Sequence, residues 1–193
     1  MRSIFGLCAA ALLSLATPTS ARAVPITYTL TGTLGNGTLN AFLDGNRVFA
    51  PFTWTLTGDT ADLTIVAGLY PAVPALTDVL DISGIGAVTP TASMVAFSAA
   101  SLGAAAFADP TGATGLSWSD PALLGYDITM PIGPLPVTFL GAFAFDTDHG
   151  VLEIQAAENL IFTATLATVP EPGSLALLGA GLITFAIARR RKL

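Results

Sequence analysis

One cysteine and one histidine serve the whole of this 193-residue chain. The only lysine is Lys192, one residue from the end. Cys8 lies in an apolar N-terminal stretch, so the body of the chain has no thiol and no primary-amine side chain. That excludes a disulfide framework, a thiolate nucleophile and a Cys metal site. It also excludes Schiff-base lysines and P-loops. His149 is the only imidazole available to a Ser-His-Asp triad, and no G-x-S-x-G turn accompanies it. Glu153 and Glu158 are the only glutamates of the body, and nothing marks either as half of a glycosidase pair. The composition therefore argues against an enzyme.

Positive charge is equally scarce. Over residues 24–169, Arg47 stands alone against twelve acids, so the body carries 1 − 12 = −11. A body that acidic repels phosphate backbones, which argues against nucleic acid as a partner. Charged residues make up 10 % of the chain and apolar residues 52 %, too apolar a mixture for a disordered protein.

The remaining positive charge sits at the two ends. Arg2 precedes an uncharged apolar run over residues 4–16, and Pro18 breaks the helix such a run would form. Ala21 and Ala23 then supply the small residues that a signal peptidase reads, with cleavage before Val24 or, as the runner-up, after Ala21. Residues 1–23 thus read as a secretory signal peptide, and the rest of the chain as exported. The alternative is a buried N-terminal helix.

At the other end, Val169-Pro170-Glu171-Pro172 precedes sixteen uncharged residues, 173–188, closed by Arg189, Arg190, Arg191 and Lys192. As a helix the run rises ~24 Å, a little short of the ~30 Å hydrocarbon core. Snorkelling of the basic side chains covers part of the difference. The basic cluster belongs in the cytoplasm by the positive-inside rule, which places the body outside, in agreement with the signal peptide. The run has no polar face, which argues against a buried amphipathic helix.

This order of parts, at this spacing and at this place, resembles the PEP-CTERM protein-sorting signal. The resemblance covers residues 169–193 and implies a bacterial envelope, usually in species that make an exopolysaccharide. It also implies recognition by an exosortase, a membrane-embedded enzyme resembling a cysteine protease. Pro170, Glu171 and Pro172 match the family's motif, as recognition residues of a substrate. Two prolines hold Glu171 in extended, non-helical chain, a form that suits a protease cleft. The alternative is a permanent anchor in which the prolines only stop a helix.

Between the ends the chain reads as strands. Ile26, Tyr28 and Leu30 alternate with Thr27, Thr29 and Thr31, the period of a strand with one buried face. Residues 52–57 alternate in the same way. Asp44-Gly45-Asn46 signals a hairpin between residues 41–43 and 48–49. Further strands are expected at 63–66, 78–82, 126–130, 137–145, 151–154 and 160–166, with a Pro-punctuated loop around Pro71 and Pro74. The alanine-rich stretch 94–107 is assigned to two strands around a turn. Nine to eleven short strands predict an all-β fold, an antiparallel β-sandwich or jelly-roll-like ectodomain. The expected organisation is a signal helix at 1–23, the ectodomain at 24–168, and a sorting signal with one short transmembrane helix at 169–193.

Three features offer chemistry. Asp146 and Asp148 stand two apart in a turn, a spacing that calcium loops use. However, Gly150 occupies the third ligand position and no Glu the twelfth, so a polar turn is the plainer reading. Asp59 with Asp62, and Asp78 with Asp81, are two further acidic pairs. Trp118 lies in a Ser/Asp/Gly context that predicts exposure and a sugar-stacking surface. Tyr126 is a second candidate, whereas Trp54 alternates with Thr and is expected in the core. The function expected is an exported surface or matrix protein associated with exopolysaccharide, and not an enzyme. Its alternative is a carbohydrate-binding module, with calcium as the possible cofactor. The partners expected are signal peptidase, exosortase, the inner membrane during transit, and exopolysaccharide.

Overall fold

The computed structural model describes residues 24–36 and 38–167. The predicted signal peptide with Ala21 and Ala23 lies outside these residues, as does the sorting signal with Pro170, Glu171, Pro172, Arg189, Arg190, Arg191 and Lys192. The described chain forms fourteen strands. They are β1 (Pro25–Leu34), β2 (Ala41–Leu43), β3 (Asn46–Val48), β4 (Pro51–Asp59), β5 (Thr64–Val66), β6 (Tyr70–Ile82) and β7 (Gly86–Val88), followed by β8 (Val95–Ala99), β9 (Ala104–Ala108), β10 (Gly115–Ser119), β11 (Ile132–Phe143), β12 (Phe145–Thr147), β13 (Gly150–Ile154) and β14 (Ala157–Leu166). Two short 3-10 turns, Ala100–Leu102 and Pro121–Leu123, are the only helical elements among the described residues.

The all-β expectation holds, but the architecture is a closed, barrel-like antiparallel sheet where the sequence suggested a sandwich or jelly roll. From β1 the hydrogen-bonded neighbours run β4, β6, β8, β9, β10, β11 and β14, and β14 pairs with β1 again. Two long strands make closure possible. β6 bonds to β4 over residues 75–82 and to β8 over 72–74. β11 bonds to β14 through its first half and to β10 through its second. Pro74 falls between the last residue paired to β5, Ala72, and the first paired to β4, Ala75, where β6 exchanges neighbours. The predicted loop around Pro71 and Pro74 is therefore strand, and the strand expected at 126–130 is a turn.

Period 2 then sorts side chains into inside and outside. Ile26, Tyr28 and Leu30 of β1 and Phe52, Trp54 and Leu56 of β4 point inward and are buried, with threonines between them on the outer wall. Aromatic rings fill the interior. Trp54 meets Phe107 edge-on at 5.4 Å between centroids, Phe107 meets Trp118 at 4.9 Å, and Trp118 meets Phe162 at 5.1 Å.

Both ends of the barrel are covered. A second sheet of order β12-β13-β2-β3 turns Leu43, Val48, Phe145 and Leu152 into the same core, and Phe145 stacks on Trp54 at 5.3 Å. The β2–β3 turn is the predicted hairpin. Asp44 and Gly45 both have positive φ (49° and 77°), the backbone that a two-residue turn of this twist requires. At the opposite end the segment between β10 and β11 folds over the opening and buries Leu123, Tyr126 and Ile128. Tyr28 donates its hydroxyl to Ile128 O at 2.7 Å, and Ser98 donates to Tyr126 O at 3.0 Å.

Candidate functional site

The chain leaves the barrel toward residue 168 from a paired strand. Leu166 of β14 lies opposite Ile26 of β1, and Ala167 N–H donates to Pro25 O at 2.8 Å. Next to it, Val24 O accepts from Thr60 N–H at 3.2 Å. Both described termini therefore emerge side by side from one end of the barrel. Three residues after Ala167 comes Pro170, so the Pro-Glu-Pro segment follows a clamped strand almost at once. Prolines at 170 and 172 leave it without two backbone donors.

The other predicted sites fare differently. Asp146, in β12, and Asp148, in the β12–β13 turn, are both exposed, and their carboxyls have different surroundings. Asp148 Oδ1 accepts from Thr89 N–H at 2.8 Å and faces His149 Nδ1 at 2.8 Å. The bond from Thr89 N–H, then that to His149, holds its carboxyl below the ordinary carboxylate range. Its structural role is to fasten the chain between β7 and β8 to the hairpin, together with the Pro90–Thr147 bridge. Asp146 instead lines a cleft of about 300 Å³ with Asp109, Thr91, Thr114 and Phe145. Burial pushes the Asp109 carboxyl up, but bonds from Thr111 Oγ1 and the N–H groups of Ala113, Thr114 and Gly112 together outweigh it and leave it lowered. Among the described residues no three His, Cys, Asp or Glu side chains gather to hold a metal ion.

Trp118 corrects the sequence reading. It is fully buried in the barrel and packed between Phe107 and Phe162, so it presents no face to a sugar. The small polar neighbours that suggested exposure, Ser117 and Ser119, are the outward-facing alternates of β10. Tyr126 is buried as well, with its hydroxyl donated to Met130 O at 2.9 Å. Trp54 lies in the core as expected.

Asp78, paired with Asp81 in the sequence, opens the strand expected at 78–82 and turns inward. It shares the face of Leu80 and Ile82 on β6, opposite Leu56 of β4. Trp54 Nε1–H donates to its Oδ1 at 2.5 Å, while Oδ2 is shut off from solvent with no partner. Burial pushes this carboxyl up to about 6, against a smaller lowering by the Trp54 bond. The signal was present in the sequence: Asp78, Leu80 and Ile82 are alternate residues of the strand expected at 78–82.

Residues 168–192 match the family described as the PEP-CTERM protein-sorting motif. This is the signal of exported proteins that an exosortase sorts. No curated protein and no solved structure matches the chain. Among the described residues no helix is long and apolar enough to cross a membrane, and the predicted span at 173–188 lies outside them.

Proposed function

We propose that this PEP-CTERM sorting-domain-containing protein is a non-catalytic surface or matrix protein, associated with exopolysaccharide after an exosortase has processed its tail. The observation that carries this reading is the direct attachment of the sorting motif, residues 168–192, to a barrel filled with aromatic side chains. Such a barrel is a cargo with a rigid wall and a packed centre, where an enzyme needs a cavity. The polar chemistry on hand supports the same view. The imidazole of His149 lies against Asp148 at the surface, and the hydroxyls of Ser98 and Ser117 are donated to backbone carbonyls. With a body charge of −11, the protein stays soluble and repels other copies of itself.

The test is the intact mass of protein recovered outside cells of its own host. The expected species starts at Val24 and ends near Pro170, and it is lost when the exosortase is deleted or when Glu171 is changed to Ala. A mass that still contains residues 173–193 in every strain would make the chain a permanently anchored ectodomain and remove the sorting step.

A second reading is a carbohydrate-binding module whose ligand would enter the cleft lined by Asp109, Asp146, Thr91 and Thr114. Two carboxylates and two hydroxyls beside Phe145 suit a hydroxyl-bearing ligand, and a calcium ion bridging sugar and carboxylate would add to the affinity. On this reading Asp146→Asn weakens retention on the host polysaccharide about tenfold, the loss of one charge-assisted bond. Unchanged retention, or none in the parent protein, removes it.

A further inference from the structure

The end of the barrel from which the sorting segment departs also carries several exposed apolar side chains in its connections. Leu63 follows β4, Leu69 tops the β5–β6 hairpin, Leu102 lies in the turn from β8 to β9, and Leu124 and Met130 lie in the segment between β10 and β11. All five are more than half exposed, and Leu69 reaches 73 %. β1 starts at this end, β14 and β4 finish at it, and the register of β6, β8, β9 and β10 places the other three connections there too. The loops are internally fastened. Asp59 Oδ1 accepts from Ala61 N–H, Asp120 Oδ1 from Ala122 N–H and Asp127 Oδ1 from Thr129 N–H, at 2.8 to 2.9 Å. The apolar side chains are thus held outward by ordered turns.

Chain length sets how far this end stands from lipid. Residues 168–172 are the only spacer between Ala167 and the uncharged run that begins at residue 173. Five residues span at most ~18 Å, so an anchored precursor holds this end of the barrel close to the bilayer surface. The opposite end has exposed Leu39, Phe49 and Ile85, but it also carries exposed Asp44, Asp146, Asp148 and His149, and neither described terminus leaves from it.

We propose that the barrel end ringed by Leu63, Leu69, Leu102, Leu124 and Met130 rests in the headgroup layer of a zwitterionic bilayer while the sorting segment anchors the chain. The inference rests on the anchored-precursor step of the function proposed above. The ring contains no Lys or Arg and includes exposed Asp62 and Asp127, so contact is through apolar side chains and anionic lipid disfavours it. Its consequence is positional. A barrel seated on its rim fixes the height at which Pro170, Glu171 and Pro172 meet a membrane-embedded enzyme. A handful of apolar tips gives only reversible attachment without the tail, so a processed body leaves the membrane.

The full-length chain tests this in a Cys8→Ser background, which removes the one native thiol. Single cysteines at Leu69, Leu102 and Leu124 carry an environment-sensitive fluorophore, with Ala113→Cys and His149→Cys as distant controls. The protein is reconstituted into phosphatidylcholine vesicles containing nitroxide-bearing lipid. The expected result is blue-shifted, quenched emission at the three rim positions and water-like emission at the controls, with the rim signal reduced when phosphatidylglycerol is added. Water-like emission at all five positions in protein that still floats with the vesicles would overturn the rim contact and leave the anchor intact. Protein that does not float at all would remove the anchored precursor, and the rim contact with it.

Discussion

Asp78→Asn is expected to stabilise the protein at neutral pH and to leave it unchanged in mild acid. Asp78 faces the barrel interior, where Trp54 satisfies one carboxylate oxygen and nothing satisfies the other. Leu56 lies opposite it in the register, Leu80 beside it on the same face, and no charged group compensates it. Its value of about 6 in the folded chain stands above the ordinary 3.8 of the unfolded chain. The sign follows from linkage. Between about pH 4 and pH 6 the folded protein binds this proton more tightly than the unfolded protein does. Stability from this group is therefore fully present below pH 4, falls as pH rises through 6, and is level above that. A displacement of this size corresponds to about 3 kcal/mol. Because the residue as a whole retains some exposure, this is an upper bound. Asp109 and Asp148 act with the opposite sign and in a lower window. Their depressed values give stability that is present above the unfolded carboxylate range and lost as pH falls through their folded values.

Asn is close to the protonated carboxyl in shape and keeps the acceptor for Trp54 Nε1–H. Its amide leaves a buried donor without a partner, which offsets part of the gain at about 1 kcal/mol. The measurement is urea denaturation of both proteins from pH 4 to pH 8. The parent should lose stability across that span while the variant stays nearly level, and the two should converge near pH 4. A parallel pair of curves would mean that Asp78 is hydrated when ionised and carries no penalty.

How legible all this was in the sequence depends on what each feature needed. β1 and β4 were plain, because strict alternation of Thr with large apolar residues is itself the two faces of a barrel wall. The Asp44-Gly45 turn was plain because positive φ at two successive residues restricts the residue types there. The alanine-rich stretch could be placed in strands because Gly103 and Ser98 disfavour helix, although alanine itself favours it. Closure of the sheet was not legible. It depends on β6 meeting β4 at one part of its length and β8 at another, and on β1 pairing with β14 from the other end of the described chain, a pairing that leaves no local mark. The sandwich expectation was therefore a count of strands without their register. The prolines misled for a related reason. Pro71 and Pro74 interrupt a hydrogen-bonded ladder only where a donor is needed, and Pro74 falls where β6 exchanges neighbours. Asp78 and Trp118 differ in what the sequence offered. The strand expected at 78–82 already carried the parity that Asp78 shares with Leu80 and Ile82. No strand was expected at 115–119, and it is the alternation of β10, Leu116 and Trp118 inward against Ser117 and Ser119, that places the indole inside.

That parity makes Trp118→Ala the most damaging single change expected here, and it redirects the experiment that a sugar-binding reading would choose first. Trp118 has no exposed surface, meets Phe107 edge-on and Phe162 at a tilt, and lies near the middle of the aromatic chain that runs from Phe145 through Trp54 and Phe107 to Tyr126. Truncation removes the indole and leaves a cavity that paired strands on every side cannot close, at a cost of about 3 to 5 kcal/mol. Domains of this size have about 5 to 15 kcal/mol in all. With no disulfide to hold the body, such a loss shows as a large fall in the urea midpoint and as poor recovery at growth temperature. Any accompanying loss of polysaccharide retention would then report unfolding. Trp118→Phe separates the causes. The indole Nε1–H is buried without a partner, so phenylalanine gives up ring volume but no hydrogen bond. Its cost should be well under half that of alanine. Equal losses for the two variants would mean that the indole N–H holds an internal partner such as a buried water. A fully stable Trp118→Ala protein would mean that the ring is not part of the packed core.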